Sequence, residues 1–286
     1  MRARLSSQPW LYLAPAFGLL GVFLVYPVIT TVYLSFFDSR SENFVGFANY
    51  AYLITHHETV IVFRNNLMWL VLFTGATVTI GLFLAVLTNQ VRYEAVAKAI
   101  VFVPMAVSFT AAAVIWRFMY IYQPADFTQT GVVNAVVTAF GLDPVAWITN
   151  KSVNNFALIA SGVWMWTGFA LVVISAGLKG IPTEVVEAAR VDGASERQIF
   201  WHILLPMLRS VILVVAVTLV INSLKVFDLV YVMTFGNFDT DVLANRMFKE
   251  MFTFGNFGRA SAVAVVLLLA IVPIMLANLR RFRREQ

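Results

Sequence analysis

The residues of this chain that could do catalytic or metal chemistry are few. Cysteine is absent, which excludes thiolate catalysis, disulfides and sulfur-ligated metals. The three histidines, His56, His57 and His202, show neither HExxH nor another metal spacing and read as solvated surface groups. Gly-x-Ser-x-Gly is missing, so no Ser-His-Asp grouping can be argued from order alone. No Gly-Lys dipeptide occurs, and with it goes the phosphate-cradling P-loop.

What remains is a set of polar and aromatic groups inside apolar runs. Asn222 and Ser223 precede Lys225 and Asp228, whose i, i+3 spacing suits a pair on one helix face. That pair reads as the outer end of its run, where a lysine reaches the interface. Asn222 and Ser223 either face a water-filled path or bond one helix to another. A second run carries Trp164, Met165, Trp166, Thr167, Gly168 and Phe169. Indoles can stack on the apolar face of a sugar while offering an N–H to its hydroxyls; they equally suit bundle packing or an interfacial belt.

These groups must be positioned by membrane helices. Residues are 60% hydrophobic and 12% charged over 286 positions, against about 25% charged in soluble domains. Mean hydropathy is +0.81. Six apolar runs are long enough to cross a bilayer core of about 30 Å: 10–33, 67–88, 98–122, 153–178, 207–228 and 257–279. The first is expected to stay as a span rather than be cleaved as a signal peptide. The fold class is therefore all-α integral membrane, one bundle of six transmembrane helices over residues 1–286.

Basic residues fix the orientation. Of 20 Lys and Arg, 12 fall on one side: Arg2, Arg4, Arg92, Lys98, Lys179, Arg190, Arg197, Arg209, Arg280, Arg281, Arg283 and Arg284. The other side holds five, Arg40, Arg64, Lys151, Arg246 and Lys249. The positive-inside rule places both termini and the loop at 179–209 in the cytoplasm. Because the basic residues flank apolar runs, they are a topology signal and not a nucleic-acid surface. The short inner connection at 90–97 predicts that the second and third spans pack as antiparallel neighbours. The outer segments, rich in Gly, Asn, Asp and Pro, predict short helices and turns lying against the outer surface.

The loop at 179–209 carries its own helix signals. Pro182 and Thr183 open a helix with Glu184 and Glu187 in its early turns, and Asp192-Gly193 ends it. Ser195 and Gln198 have capping-box spacing and start a second helix. Pro206 predicts a break or bend before the fifth span. Adjacent alanines give a low-profile surface that another protein can grip, though a hairpin that merely connects spans fits the same signals.

A resemblance separates these readings. Glu187-Ala188-Ala189, three residues, Gly193, nine residues, Ile203, one residue and Leu205-Pro206 is similar to the EAA loop of bacterial ABC-importer permeases. The resemblance implies the type I ABC-importer permease fold in a bacterial cytoplasmic (inner) membrane, with a cytoplasmic coupling helix. It also implies that Glu187, Ala188, Ala189, Asp192 and Gly193 dock an ATP-binding subunit. Tyr26-Pro27-Val28, Leu34-Ser35-Phe36 and the stretch from Phe44 through Gly46 to Tyr50 resemble the first membrane subunit of maltose-type carbohydrate importers. The stretch from Lys225 to Asp228, with Val232-Met233-Thr234 and Asn245-Arg246-Met247, is similar to the α-glucoside members.

By the same resemblance, Gly162, Met165, Trp166 and Phe169, with Asn222, Ser223 and Val226, fall at positions that contact sugar in such permeases. Trp166 departs from the pattern, since a small residue is typical there. The implied partners are a second permease subunit, two ATP-binding subunits that hold ATP and Mg²⁺, and an extracytoplasmic sugar-binding protein. The chain itself is expected to hold no cofactor and no metal, and to catalyse nothing. Three alternatives remain beside the sugar importer. A membrane-embedded enzyme would need clustered acids or histidines, a passive channel leaves the inner hairpin unexplained, and an ABC importer of another solute would share the same loop.

Overall fold

A backbone that crosses hydrocarbon must satisfy its own N–H and C=O groups, which leaves helices or a closed barrel. In the computed structural model, which describes residues 8–89 and 91–285, the regular structure is helical apart from one bridge between Phe37 and Phe44. In chain order the elements are α1 (Tyr12–Leu34), α2 (Ala48–Thr55), α3 (His57–Thr88), α4 (Glu94–Ala106), α5 (Phe109–Met119), α6 (Val132–Ala139) and α7 (Asn154–Lys179). There follow α8 (Thr183–Val191), α9 (Glu196–Leu224), α10 (Asp228–Thr234), α11 (Leu243–Phe248) and α12 (Phe257–Glu285). Among the described residues five helices are long and apolar enough to span, and α4 with α5 makes a sixth if the bent pair counts as one. Arg2 and Arg4, used for the orientation, lie outside the described residues.

The fourth span, α7, is the hub, with 67% of its apolar window buried against none for α1. Leu158, Leu171 and Ile174 on it are fully buried, as are Val215 and Leu219 on α9. Packing replaces the hydrophobic effect as the adhesive between spans, so small residues matter where helices meet. At Gly168 a Cβ would meet the Val101 carbonyl oxygen at 2.6 Å and Phe102 Cα at 2.7 Å. Only a glycine lets α7 come that near the α4 backbone.

Five expectations are corrected. The second span begins at His57, ten residues before the expected Leu67, because Asn65 and Asn66, although polar, are bonded to the last outer segment inside the helix packing. Asn65 Nδ2 donates to the carbonyls of Asp239 (2.7 Å) and Asp241 (2.8 Å), and Asn66 Oδ1 accepts from Leu243 N (2.7 Å).

The third span is not straight: α4 and α5 meet at 99°. Pro104 tightens the end of α4 into a 3₁₀ turn, Val107 is extended, and Ser108 caps α5 by accepting from Ala111 N at 3.2 Å.

The second and third spans are not close neighbours. The body of α3 packs on α7 instead, while α4 packs on α7 separately.

Pro206 does not end a helix, since α9 runs from Glu196 through it. A π turn at Phe200–Leu204 absorbs the missing proline N–H just upstream, and a second at Gly21–Val25 does the same before Pro27.

The outer segments do form short helices, α2, α6, α10 and α11. The last of these segments is folded into the bundle rather than laid on its surface. Leu229, Val230, Val242, Leu243, Asn245, Arg246 and Glu250 are all buried. Arg246 bonds Glu250 (2.9 Å), Glu58 (3.2 Å) and the Tyr52 hydroxyl (3.1 Å), tying α11 to α2 and α3.

Candidate functional site

The polar run at the end of the fifth span opens a cavity because the helix stops there. α9 ends at Leu224, Lys225 adopts φ −99°, ψ 10°, and α10 restarts at Asp228. Irregular backbone at this depth persists where it lines a cavity or is buried in protein. The break walls a cavity of about 270 Å³, closed on the other sides by Trp69 and Phe73 of α3, Phe109 of α5, and Gly162 and Trp166 of α7. Gly162 is eight residues from the outer end of α7, so the cavity sits about 12 Å along that helix.

Of the expected path residues, Gly162, Trp166, Asn222, Ser223 and Val226 line this one cavity. Asn222 Nδ2 donates to the Thr218 carbonyl (2.8 Å), and the Ser223 hydroxyl donates to the Val220 carbonyl (2.8 Å). The Trp166 ring lies 6.2 Å from Phe109 and edge-on to Phe169 at 5.6 Å. Phe169 therefore buttresses Trp166 without lining the cavity. Met165 is 2% exposed and sits in the core. Trp164, two residues from Trp166, faces a different side and packs edge-on against Trp116 at 5.7 Å. The two indoles cannot serve one ring.

Lys225 and Asp228 do not share a helix face, because the break falls between them. Neither makes an ion pair within 4 Å among the described residues. Asp228 Oδ1 accepts only a long hydrogen bond from Thr110 Oγ1, 3.3 Å, yet both charges line the cavity. Sequence reasoning missed Trp69, Phe73 and Phe109. Trp69 and Phe73 lie in a π turn, Trp69–Phe73, that no residue type announces. Phe109 was findable, since Pro104 and the cap Ser108 mark the bend that swings it inward.

The second feature is the inner hairpin. α8 ends in two bonds that close its last turn, from Ala194 N to the Ala189 carbonyl (3.0 Å) and from Gly193 N to the Arg190 carbonyl (3.0 Å). Gly193 has φ +82°, the left-handed value such an ending needs. Ser195 and Gln198 close a capping box at the start of α9. Arg190 spans the turn to Glu196 with two bonds, 2.7 and 3.2 Å. Glu187, Ala188, Asp192 and Gly193 are exposed, and Ala189 is half-buried. Val185 and Val191 stand out beside Ala188, Val191 at 88% exposure, a small apolar strip that sequence reading passed over. Among the described residues no group of three or more His, Cys, Asp or Glu could hold a metal, and His202 Nδ1 lies 3.1 Å from the Gln198 carbonyl.

The family model described as binding-protein-dependent transport system inner membrane component matches residues 77–284. The chain belongs to that family. It is a polytopic inner-membrane permease subunit of an ABC-type importer, a translocation component and not an enzyme. The permease is 56% identical over 276 residues to the osmoprotective compounds uptake permease protein GgtC of Synechocystis sp., covering 96% of this chain and 99% of that one. It is 46% identical over 286 residues to the alpha-glucoside transport system permease protein AglF of Rhizobium meliloti, covering 100% of this chain and 85% of that one. In fold it is similar to a chain of a bacterial ABC transporter that imports the acidic polysaccharide alginate, with a TM-score of 0.81 at 24% identity over 96% of each chain. The permease thus has the type I ABC-importer architecture.

Proposed function

We propose that this permease subunit carries a carbohydrate, an α-glucoside or a related small polyhydroxylated solute, through the cavity bounded by Trp166, Asn222 and Ser223. The observation that carries this reading is the composition of the cavity wall. Aromatic faces from Trp69, Phe109 and Trp166 stand opposite the amide of Asn222, the hydroxyl of Ser223 and the charges at 225 and 228. Carbohydrates need that combination, an apolar face for the ring and donors and acceptors for the rim. The volume of about 270 Å³ is at the low end of ligand pockets, as expected for half of a shared path. Gly162 gives the wall its clearance, while Phe169 and Met165 support it from behind. The α-glucoside in the name of AglF and the osmoprotective compounds in that of GgtC are both compatible with such a solute.

In this proposal a second permease subunit supplies the other half of the path, and an extracytoplasmic binding protein delivers the solute. Two ATP-binding subunits, holding ATP and Mg²⁺, grip the face of α8 that carries Glu187, Ala188, Ala189, Asp192 and Gly193. Both termini and the hairpin lie in the cytoplasm. Closure of the ATP-binding pair displaces α8, and the displacement enters the fifth span directly, because α9 is one helix from the hairpin to the cavity wall. Alternating access follows from that continuity.

The test is accumulation of labelled α-glucosides by vesicles holding the chain and its copurifying subunits. Uptake that requires both ATP and the ATP-binding subunits supports the proposal; uptake that proceeds without them contradicts it.

A further inference from the structure

The cavity holds one cation and one anion that do not neutralise each other. Lys225 and Asp228 flank the break between α9 and α10, line the same space, and have no ion-pair partner within 4 Å among the described residues. Ionisable groups are rare among membrane spans and usually mark a substrate path. Here the bond from Thr110 Oγ1, at 3.3 Å, orients Asp228 while leaving most of its acceptor sites open.

The geometry points to Lys225 and Asp228 as a charge filter that selects solutes of zero net charge whose hydroxyls reach both side chains. This inference rests on the carbohydrate reading above and specifies which carbohydrates pass. The ammonium of Lys225 has three donors and no acceptor, and the carboxylate of Asp228 has acceptors only. A hydroxyl can accept from the first or donate to the second, so a neutral polyol satisfies both at once. A carboxylate-bearing sugar gains at Lys225 but brings its charge against Asp228. A cationic sugar meets the converse. Contact within a site walled by Trp69, Phe109 and Trp166 is far shorter than the Debye length of about 8 Å, so neither repulsion is screened away by salt.

The experiment uses the absence of cysteine from this chain. Val226→Cys puts its only thiol on the cavity wall, and the alkylation rate of that thiol is followed in the complex of this chain with its copurifying membrane and ATP-binding subunits. Phe109→Cys, on the opposite wall, serves as the second reporter should the first disturb assembly. The probes are methyl α-D-glucoside and methyl α-D-glucuronide, which differ only in a hydroxymethyl against a carboxylate.

The expected result is that the glucoside slows alkylation severalfold and the glucuronide does not. Asp228→Asn, which keeps the side-chain shape, should reverse that preference, and Lys225→Met should weaken protection by the glucoside while the glucuronide stays excluded. An unchanged glucoside-over-glucuronide preference in Asp228→Asn would overturn the charge filter while leaving the carbohydrate reading intact. Failure of any neutral glucoside to protect or to be transported would overturn the carbohydrate reading, and the filter with it.

Discussion

The six-membered ring of Trp69 lies against the bare Cα of Gly162, where a Cβ would meet Cζ3 at 2.9 Å and Cη2 at 3.3 Å. Trp69 is 1% exposed and packs on Phe73 at 5.8 Å, so its ring has little room to retreat except into the cavity. Gly162→Val should therefore destabilise the subunit by about 1–3 kcal/mol and lower uptake roughly tenfold or more. Pairing Gly162→Val with Trp69→Leu should recover much of the stability that Gly162→Val loses, because the clash is between those two groups. Thermal unfolding and vesicle uptake of the singles and the double measure the coupling.

Gly193 gives a different kind of prediction. Nothing lies within 4 Å of a Cβ built there, so the constraint is the backbone, at φ +82°. Gly193→Asn should assemble and couple nearly as the native chain does, since asparagine tolerates this region. Gly193→Val should cost about 1–2 kcal/mol at the turn and disorder the end of α8. Copurification of the ATP-binding subunits with each variant checks the difference.

How far the sequence led can be argued from these two glycines. Gly193 was legible because helix endings are local: Asp192-Gly193 and the Ser195/Gln198 pair carry their own signals, and the hairpin folds accordingly. Gly162 reached the site only through resemblance, since its importance lies in a ring from another span. The spans were legible through apolar length, but their ends were not. Asn65 and Asn66 look like loop residues until their partners at Asp239, Asp241 and Leu243, some 175 positions away, are in place. The 99° bend was written in Pro104 and Ser108, and a hydropathy reading smoothed over it. Pro206 misled in the opposite sense, because a π turn can carry a helix past a proline.

The outer cluster around Arg246 should be a major source of stability in the last outer segment. Its guanidinium and Glu250 are 5% and 1% exposed and share a 2.9 Å contact, so removing Arg246 leaves the buried Glu250 carboxylate uncompensated. Arg246→Met alone should cost about 3–5 kcal/mol, and Arg246→Met with Glu250→Met much less. Unfolding of the solubilised subunit in the single and double variants reads this directly.

Asp241 adds a pH dependence to the same segment. Burial pushes its carboxyl above the ordinary aspartate value, despite Lys249 nearby and the hydrogen bond from Asn245. A carboxyl raised on folding contributes stability that is full below its unfolded value and lost as pH climbs through the folded one. Hydrogen-exchange protection of α11, corrected for intrinsic exchange, should thus be greater at acidic than at neutral pH. Asp241→Asn should flatten that dependence.

In the proposed coupling, force received at α8 moves the cavity wall through the unbroken α9. The most direct measurement is the number of solute molecules imported per ATP hydrolysed in vesicles carrying native or Glu187→Arg subunits at equal assembly. Glu187→Arg should lower this ratio about tenfold or more while the cavity still binds solute. A ratio equal to that of the native complex would contradict it.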